Sequence, residues 1–389
     1  FFFGMRATFV LSLLFCLFAP GLTDGTGLPE PSMSSRIRGA YYGSLVADAL
    51  SLATHYEYDA IKIKKYYGIL DRYYAPGEKT GGQTHGIGWG ARNYHGGNGR
   101  GPAKKAGEQT DYGDYNILLL EHLANTAQNP HRIKLSELIP TWQQRMKTWR
   151  AWMCTMTKTT LQQVQQGVPH SQLGGYSNAM AVRYAAAFGY YETEADVVHA
   201  ARTAMFTHRE TSALDGGEFF ARVTFRVLHK GLTPREAIEE VAQTSSPFIQ
   251  QKVKQALDKV REATDPARSL SQEEFVDDLA LTSMARLWDV GKTEPIKVGK
   301  ASPTEGTLPG SIYFIVKYEG DLVGACIANA MVGGDSASRA VAIGMVMGAH
   351  QGVEGIPKSL GKGKLVEWER SEKLLDRLPL LKSDAKDEL

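Results

Sequence analysis

Along most of the chain, apolar residues recur at helical spacing, and the runs are separated by short polar breaks rich in cap and turn residues. One run, RIRGAYYGSLVADALSLATHYEYD after Ser35, has Gly39, Gly43 and Ala47 four apart, which predicts a tightly packed helix ending near Thr54. A second, AVAIGMVMGAHQGVEGIP after Arg339, carries Gly344, Gly348 and Gly352 at the same spacing. One face of that helix is nearly bare backbone, and another helix can lie very close to it. LSELIPTWQQRMKTWRAWM assigns Trp142, Trp149 and Trp152 to the core, and TKTTLQQVQQG stops at Gly167 with Pro169 beyond it. Thr193 to Asp196, Thr233 to Glu236 and Ser271 to Glu274 read as capping boxes. Residues 56–74, rich in Tyr and Lys, read as solvated surface, and 292–310 as a connector. In 311–332 β-branched and small residues mix, so periodicity leaves a strand pair and a helix pair both open.

Composition narrows the class. The 389 residues carry a net charge of +2 and are 43% hydrophobic, a globular balance with no basic excess to attract nucleic acid. Residues 5–21 have the form of a signal peptide, with residues 1–4 upstream of its Met5 and a polar leader over 22–34. A single domain is expected over 35–375. The tail, 376–389, ends in Lys386-Asp387-Glu388-Leu389, the retention signal read by the KDEL receptor. The expectation is a protein of the endoplasmic reticulum lumen with no stable membrane span after signal removal. Cys154 and Cys326 then remain and leave room for one disulfide.

Candidate chemistry sits at four places. Asp48 lies inside an apolar helix and needs a partner or a role. Residues 77–107 hold eleven glycines along with His85, Trp89, Asn93, Tyr94 and His95, and read as a flexible or ligand-contacting loop. Thr110-Asp111-Tyr112 and Gly333-Gly334-Asp335 each bring oxygen donors to the start of a helix. Either turn reads as an N-cap, worth about 1 kcal/mol, or as half of a site.

Taken in order over residues 36–357, these segments, with Gly175-Tyr176-Ser177-Asn178-Ala179-Met180 and Thr207-His208, resemble the ADP-ribosylglycohydrolase family. The resemblance implies an all-α, orthogonally packed multi-helix fold, which would make 311–332 helical. It implies two Mg²⁺ or Mn²⁺ ions between the two turns, with Thr110, Asp111 and Asp335 as ligands and Ser338 in the place of a threonine. It assigns water activation to Asp111 and Asp335, and substrate contacts to Gly333, Gly334, Arg339, Glu57 and Asn178. The ligand would be an ADP-ribosylated protein or a small ADP-ribosyl compound. Tyr112 and Ala337 stand where the family has its second carboxylates, as in the J1-crystallin and selenoprotein J branch. Losing two carboxylates disfavours two ions. The expectation becomes either a hydrolase with one residual Mg²⁺ (Mn²⁺ as alternative) or a catalytically inactive, crystallin-like binding protein.

Overall fold

The two glycine-spaced helices are the axis of the computed structural model, which describes residues 30–79, 103–284, 287–288 and 296–382. Helix α1 (Met33–Ser51) starts at Ser32, whose hydroxyl accepts from the Ser35 amide at 3.1 Å. It is buried on nearly every face, consistent with apolar and small residues all round. Against it lies the helix that follows Gly333-Gly334-Asp335. A Cβ on Gly43 would sit 2.3 Å from the Gly344 carbonyl oxygen, and one on Gly39 would sit 2.2 Å from that of Gly348. Only hydrogen side chains allow this approach.

The remaining helices in chain order are α2 (Ala60–Tyr67), α3 (Asp111–Thr126), α4 (Leu135–Met146), α5 (Thr155–Gln165), α6 (Glu194–Ala204), α7 (Thr211–Lys230), α8 (Pro234–Gln243), α9 (Pro247–Thr264), α10 (Val276–Ser283), α11 (Thr304–Lys317), α12 (Leu322–Val332), α13 (Ser336–Gln351) and α14 (Trp368–Leu375). The fold is all-α. Its one ribbon among the described residues pairs Leu287–Trp288 with Ile296–Lys297 antiparallel. Segment 311–332 is helical, as the resemblance required. Around the α1–α13 pair pack α7, α11 and α12, with α8 and α9 outside them and α14 on α3. Ser32–Leu389 forms one compact unit, and Phe1–Pro31 a separate one of which only Glu30 and Pro31 are described. The signal-peptide, leader and retention-signal readings therefore lie wholly or mostly outside the described residues, as does most of the glycine-rich stretch.

Several expectations meet corrections. Ser271 to Glu274 is no capping box. Residues Ser269–Gln272 form a 3-10 turn, and α10 begins at Val276 without a side-chain cap. The Ser271 hydroxyl donates to the Arg268 carbonyl and Glu274 pairs with Lys64, so other partners take both groups. Helix α11 starts at Thr304, inside the expected connector, and runs through Pro309. In 56–74, Ile63, Tyr67, Leu70, Tyr73 and Tyr74 are buried while Ile61, Tyr66 and Ile69 are exposed, so the segment is a half-buried layer. Leu378 and Leu381 are buried beyond α14, so the packed unit runs six residues past 375. Both cysteines are free thiols: Cys154 caps α5, and Cys326 is buried in α12. The capping box at Thr233 and Glu236 is complete.

Candidate functional site

The close α1–α13 seam brings the C-terminal end of α1 to the N-terminal end of α13, and α3 starts beside both. Gly333 and Gly334 take φ of 69° and 67°, and a Cβ on either would lie within 2.2 Å of a backbone oxygen. Three backbone bonds clamp this turn. The Tyr56 amide donates to the Gly334 carbonyl (2.6 Å), Gly334 N–H to Glu57 O (2.5 Å), and Asp335 N–H to Lys300 O (2.6 Å). The Lys300 side chain is itself buried, with Nζ on the Tyr58 carbonyl and Asp278.

Asp335 caps α13. Its Oδ1 accepts from the Ser338 amide (3.2 Å), and its Oδ2 accepts from the Tyr112 hydroxyl (3.0 Å). Tyr112 thus reaches across from α3 and binds the Asp335 carboxylate. His55 Nδ1 lies 3.7 Å from Oδ1 and accepts from the Ala337 amide at 3.4 Å. Burial pushes His55 down to about 4, against the pull of Asp335, so it is neutral at pH 7. Beneath the turn, the fully buried Arg339 gives Nε to Asn329 Oδ1 (2.8 Å) and Nη2 to the Gly333 carbonyl (2.5 Å). Burial lowers Arg339 to about 10, and Asp335 opposes that shift, so the guanidinium stays charged and offsets the carboxylate.

Thr110 caps α3 through the Tyr112 amide (3.1 Å). Its own amide and hydroxyl donate to Asp48 at 2.7 and 2.5 Å. Asp48 therefore has the partner its apolar surroundings demanded. Burial pushes its carboxyl up to about 8, against the lowering effect of the Thr110 bonds.

Asp111, 7% exposed, opens onto a cleft of about 210 Å³ whose floor includes Tyr56, Tyr112 and Ser302. Trp152, Cys154, Met156, Ser177, Arg183 and His208 also line it. The Gly175 segment and Thr207-His208 meet through Gly175 N–H to Thr207 O (3.1 Å) and Arg209 N–H to Gly175 O (2.8 Å). Arg183 is 3% exposed. Its Nη1 donates to Thr207 Oγ1 (2.7 Å), and the guanidinium lies 3.8 Å over the Tyr115 ring. Its Nε has no partner, and no carboxylate pairs with it among the described residues. His208 is buried and its pKa pushed down to about 3, so it too is neutral.

The structure brings Thr110, Asp111, Asp335 and Ser338 to one locality, with only Asp111 on the cleft. Glu57 and Asn178 do not line the cleft; Glu57 Oε1 accepts from the Asp59 amide, and the Asn178 carbonyl accepts from Thr304. Arg339 is enclosed and does not line the cleft. Tyr56, Trp152, Cys154, Arg183 and Ser302 were missed. Arg183 had a readable signal, a lone charge within AVRYAAAF, like that of Asp48.

A family model described as ADP-ribosylglycohydrolase matches residues 29–388. The chain belongs to that family. Among solved structures, the "ADP-ribosylglycohydrolase-related protein complex" matches with a TM-score of 0.53 at 17% identity, covering 90% of this chain and 99% of that one, a likeness of fold. No curated protein sequence matches.

The two-ion centre implied by the resemblance can be tested against the donors present. Hard divalent cations need several free oxygens in a near-octahedral array. Both Asp335 oxygens accept from protein donors, Thr110 Oγ1 accepts from the Tyr112 amide while donating to Asp48, and only Asp111 and Asp335 supply carboxylates among the expected ligands. Among the described residues, no group of three or more His, Cys, Asp or Glu is arranged to hold an ion. The residues do not fit the group.

Proposed function

We propose that this family member binds an ADP-ribosyl-type ligand, free or on a protein, in the Asp111–Arg183 cleft without metal-dependent turnover. The observation that carries the reading is Arg183, a buried guanidinium on the cleft wall with no carboxylate partner among the described residues. Burying a cation without a counter-charge is unfavourable, and a phosphate offers it charge-assisted, bidentate bonds. Stacking on Tyr115 holds the guanidinium plane in place. At about 210 Å³ the cleft takes a sugar-phosphate portion of the ligand. The rest would extend past Ser177 toward Tyr176, 76% exposed with the Arg209 guanidinium over its ring. Tyr112 and Ala337 support the inactive, crystallin-like alternative, as does the Tyr112–Asp335 bond that occupies the former ligand.

The test is calorimetric titration with ADP-ribose in EDTA, with Arg183→Met as comparison. Binding that weakens about tenfold or more in the variant supports the reading, since one charge-assisted pair is worth about 1.5–3 kcal/mol. Absence of binding, or equal binding by the variant, sinks it.

A second reading, hydrolysis, is favoured by one observation: Asp111 keeps its place on the cleft, within reach of a water beside a bound sugar. Release of ADP-ribose from modified protein above the level of Asp111→Asn, with and without Mg²⁺ or Mn²⁺, separates the two readings.

A further inference from the structure

Tyr56 is the only non-glycine residue with positive φ (67°) among those described. A bulky side chain disfavours this conformation, so the surroundings must impose it. Here the imposition is visible. The Tyr56 amide and the Glu57 carbonyl both bond Gly334, which holds the loop to the Gly333-Gly334 turn. The result is a half-buried tyrosine on the cleft floor.

The floor is ordered by its neighbours. The His55 ring packs 4.1 Å from the Tyr56 ring at 36° and meets Tyr112 edge-on at 6.0 Å. His55 is fully buried, so it wedges both tyrosines from behind. Tyr112 lines the cleft with its hydroxyl spent on Asp335. Tyr56 keeps its hydroxyl beside Ser302. Asp111, on the adjoining wall, is a strong acceptor for a hydroxyl.

We propose that Tyr56 and Tyr112 form a metal-free sugar platform, which takes the ribosyl ring next to the phosphate held by Arg183. Aromatic rings bury the C–H face of a sugar, while the Tyr56 hydroxyl and Asp111 take its hydroxyls. Strain at Tyr56 is then the cost of aiming a specificity-determining residue. This inference rests on the ligand reading above and adds how the terminal sugar is recognised.

The experiment compares ADP-ribose with ADP, which lacks the second ribose, on the full chain in EDTA, using wild type, Tyr56→Phe and Tyr56→Asn. Asparagine suits positive φ, so that variant should melt within about 2 °C of wild type. The expected result is tighter wild-type binding of ADP-ribose than of ADP. Tyr56→Asn should lose about tenfold for ADP-ribose and less than about twofold for ADP, with Tyr56→Phe between. Equal wild-type affinity for the two ligands, or equal losses for both in Tyr56→Asn, overturns the platform and leaves the Arg183 reading standing. Binding of neither ligand overturns both.

Discussion

Gly344→Ala is a severe test of the seam that builds the site. Its Cβ would lie 2.0 Å from the Gly43 carbonyl oxygen, 2.5 Å from its carbon and 2.9 Å from the Ala47 Cβ. None of these atoms is the tip of a flexible side chain, so α1 and α13 must part by about 1 Å to restore ordinary contact. Alanine gains about 1 kcal/mol of helix propensity over glycine, and overpacking of this kind costs about 3 kcal/mol, leaving a net loss of about 2 kcal/mol. An unfolding entropy of about 2.1 cal/mol/K per residue, over roughly 350 residues, converts that to a fall of about 3 °C in melting temperature. Gly217→Ala is the control. Its Cβ would crowd Met205 Sδ and Cε, at 2.3 and 2.7 Å, the movable end of that side chain, with Tyr184 Cε1 at an ordinary 4.0 Å. It should melt within about 1 °C of wild type, because Met205 can swing away and the propensity gain survives. The two variants are compared by differential scanning calorimetry at one scan rate. If Gly344→Ala melts at or above Gly217→Ala, backbone contact across the seam is not what limits the packing.

Tyr112→Phe removes a donor from the buried Asp335 carboxylate, and melting should fall by about 2–4 °C; an unchanged midpoint would mean that the bond contributes nothing. Lys300→Met strands Asp278 and the Tyr58 carbonyl under the turn. Urea unfolding should register a loss of about 2–4 kcal/mol, less than for a fully enclosed pair because Asp278 is partly exposed. Asp48 gives a pH signature. Its folded pKa, about 8, lies above its unfolded value, so the folded state holds an extra proton and stability falls as pH rises toward 8. His55 acts oppositely below pH 6.5, so the clean window is pH 6.5–8, where wild type should lose about 2 kcal/mol that Asp48→Asn keeps. Parallel pH profiles for the two proteins would contradict a neutral Asp48.

Much of this could be read from residues alone, because it rests on local rules. Helical spacing of apolar residues, the Thr233 and Thr193 caps and the stop at Gly167 are decided within a few residues of themselves. The four-residue glycine spacing announced a close helix pair, and a lone Asp48 among apolar neighbours announced a buried partner. The resemblance then supplied the family and the helical state of 311–332. What sequence could not decide were the partners that fold back from far along the chain. Ser271 looked like a cap until Lys64 took Glu274, some 210 residues away. Arg339 stood as a substrate contact implied by the resemblance, and its packing under Gly333 made it an enclosed counter-charge. Tyr112 could be recognised as a missing carboxylate, but only the approach of α3 to α13 turned its hydroxyl onto Asp335. Periodicity and capping depend on neighbours in the chain, whereas a site depends on which distant groups share a desolvated space.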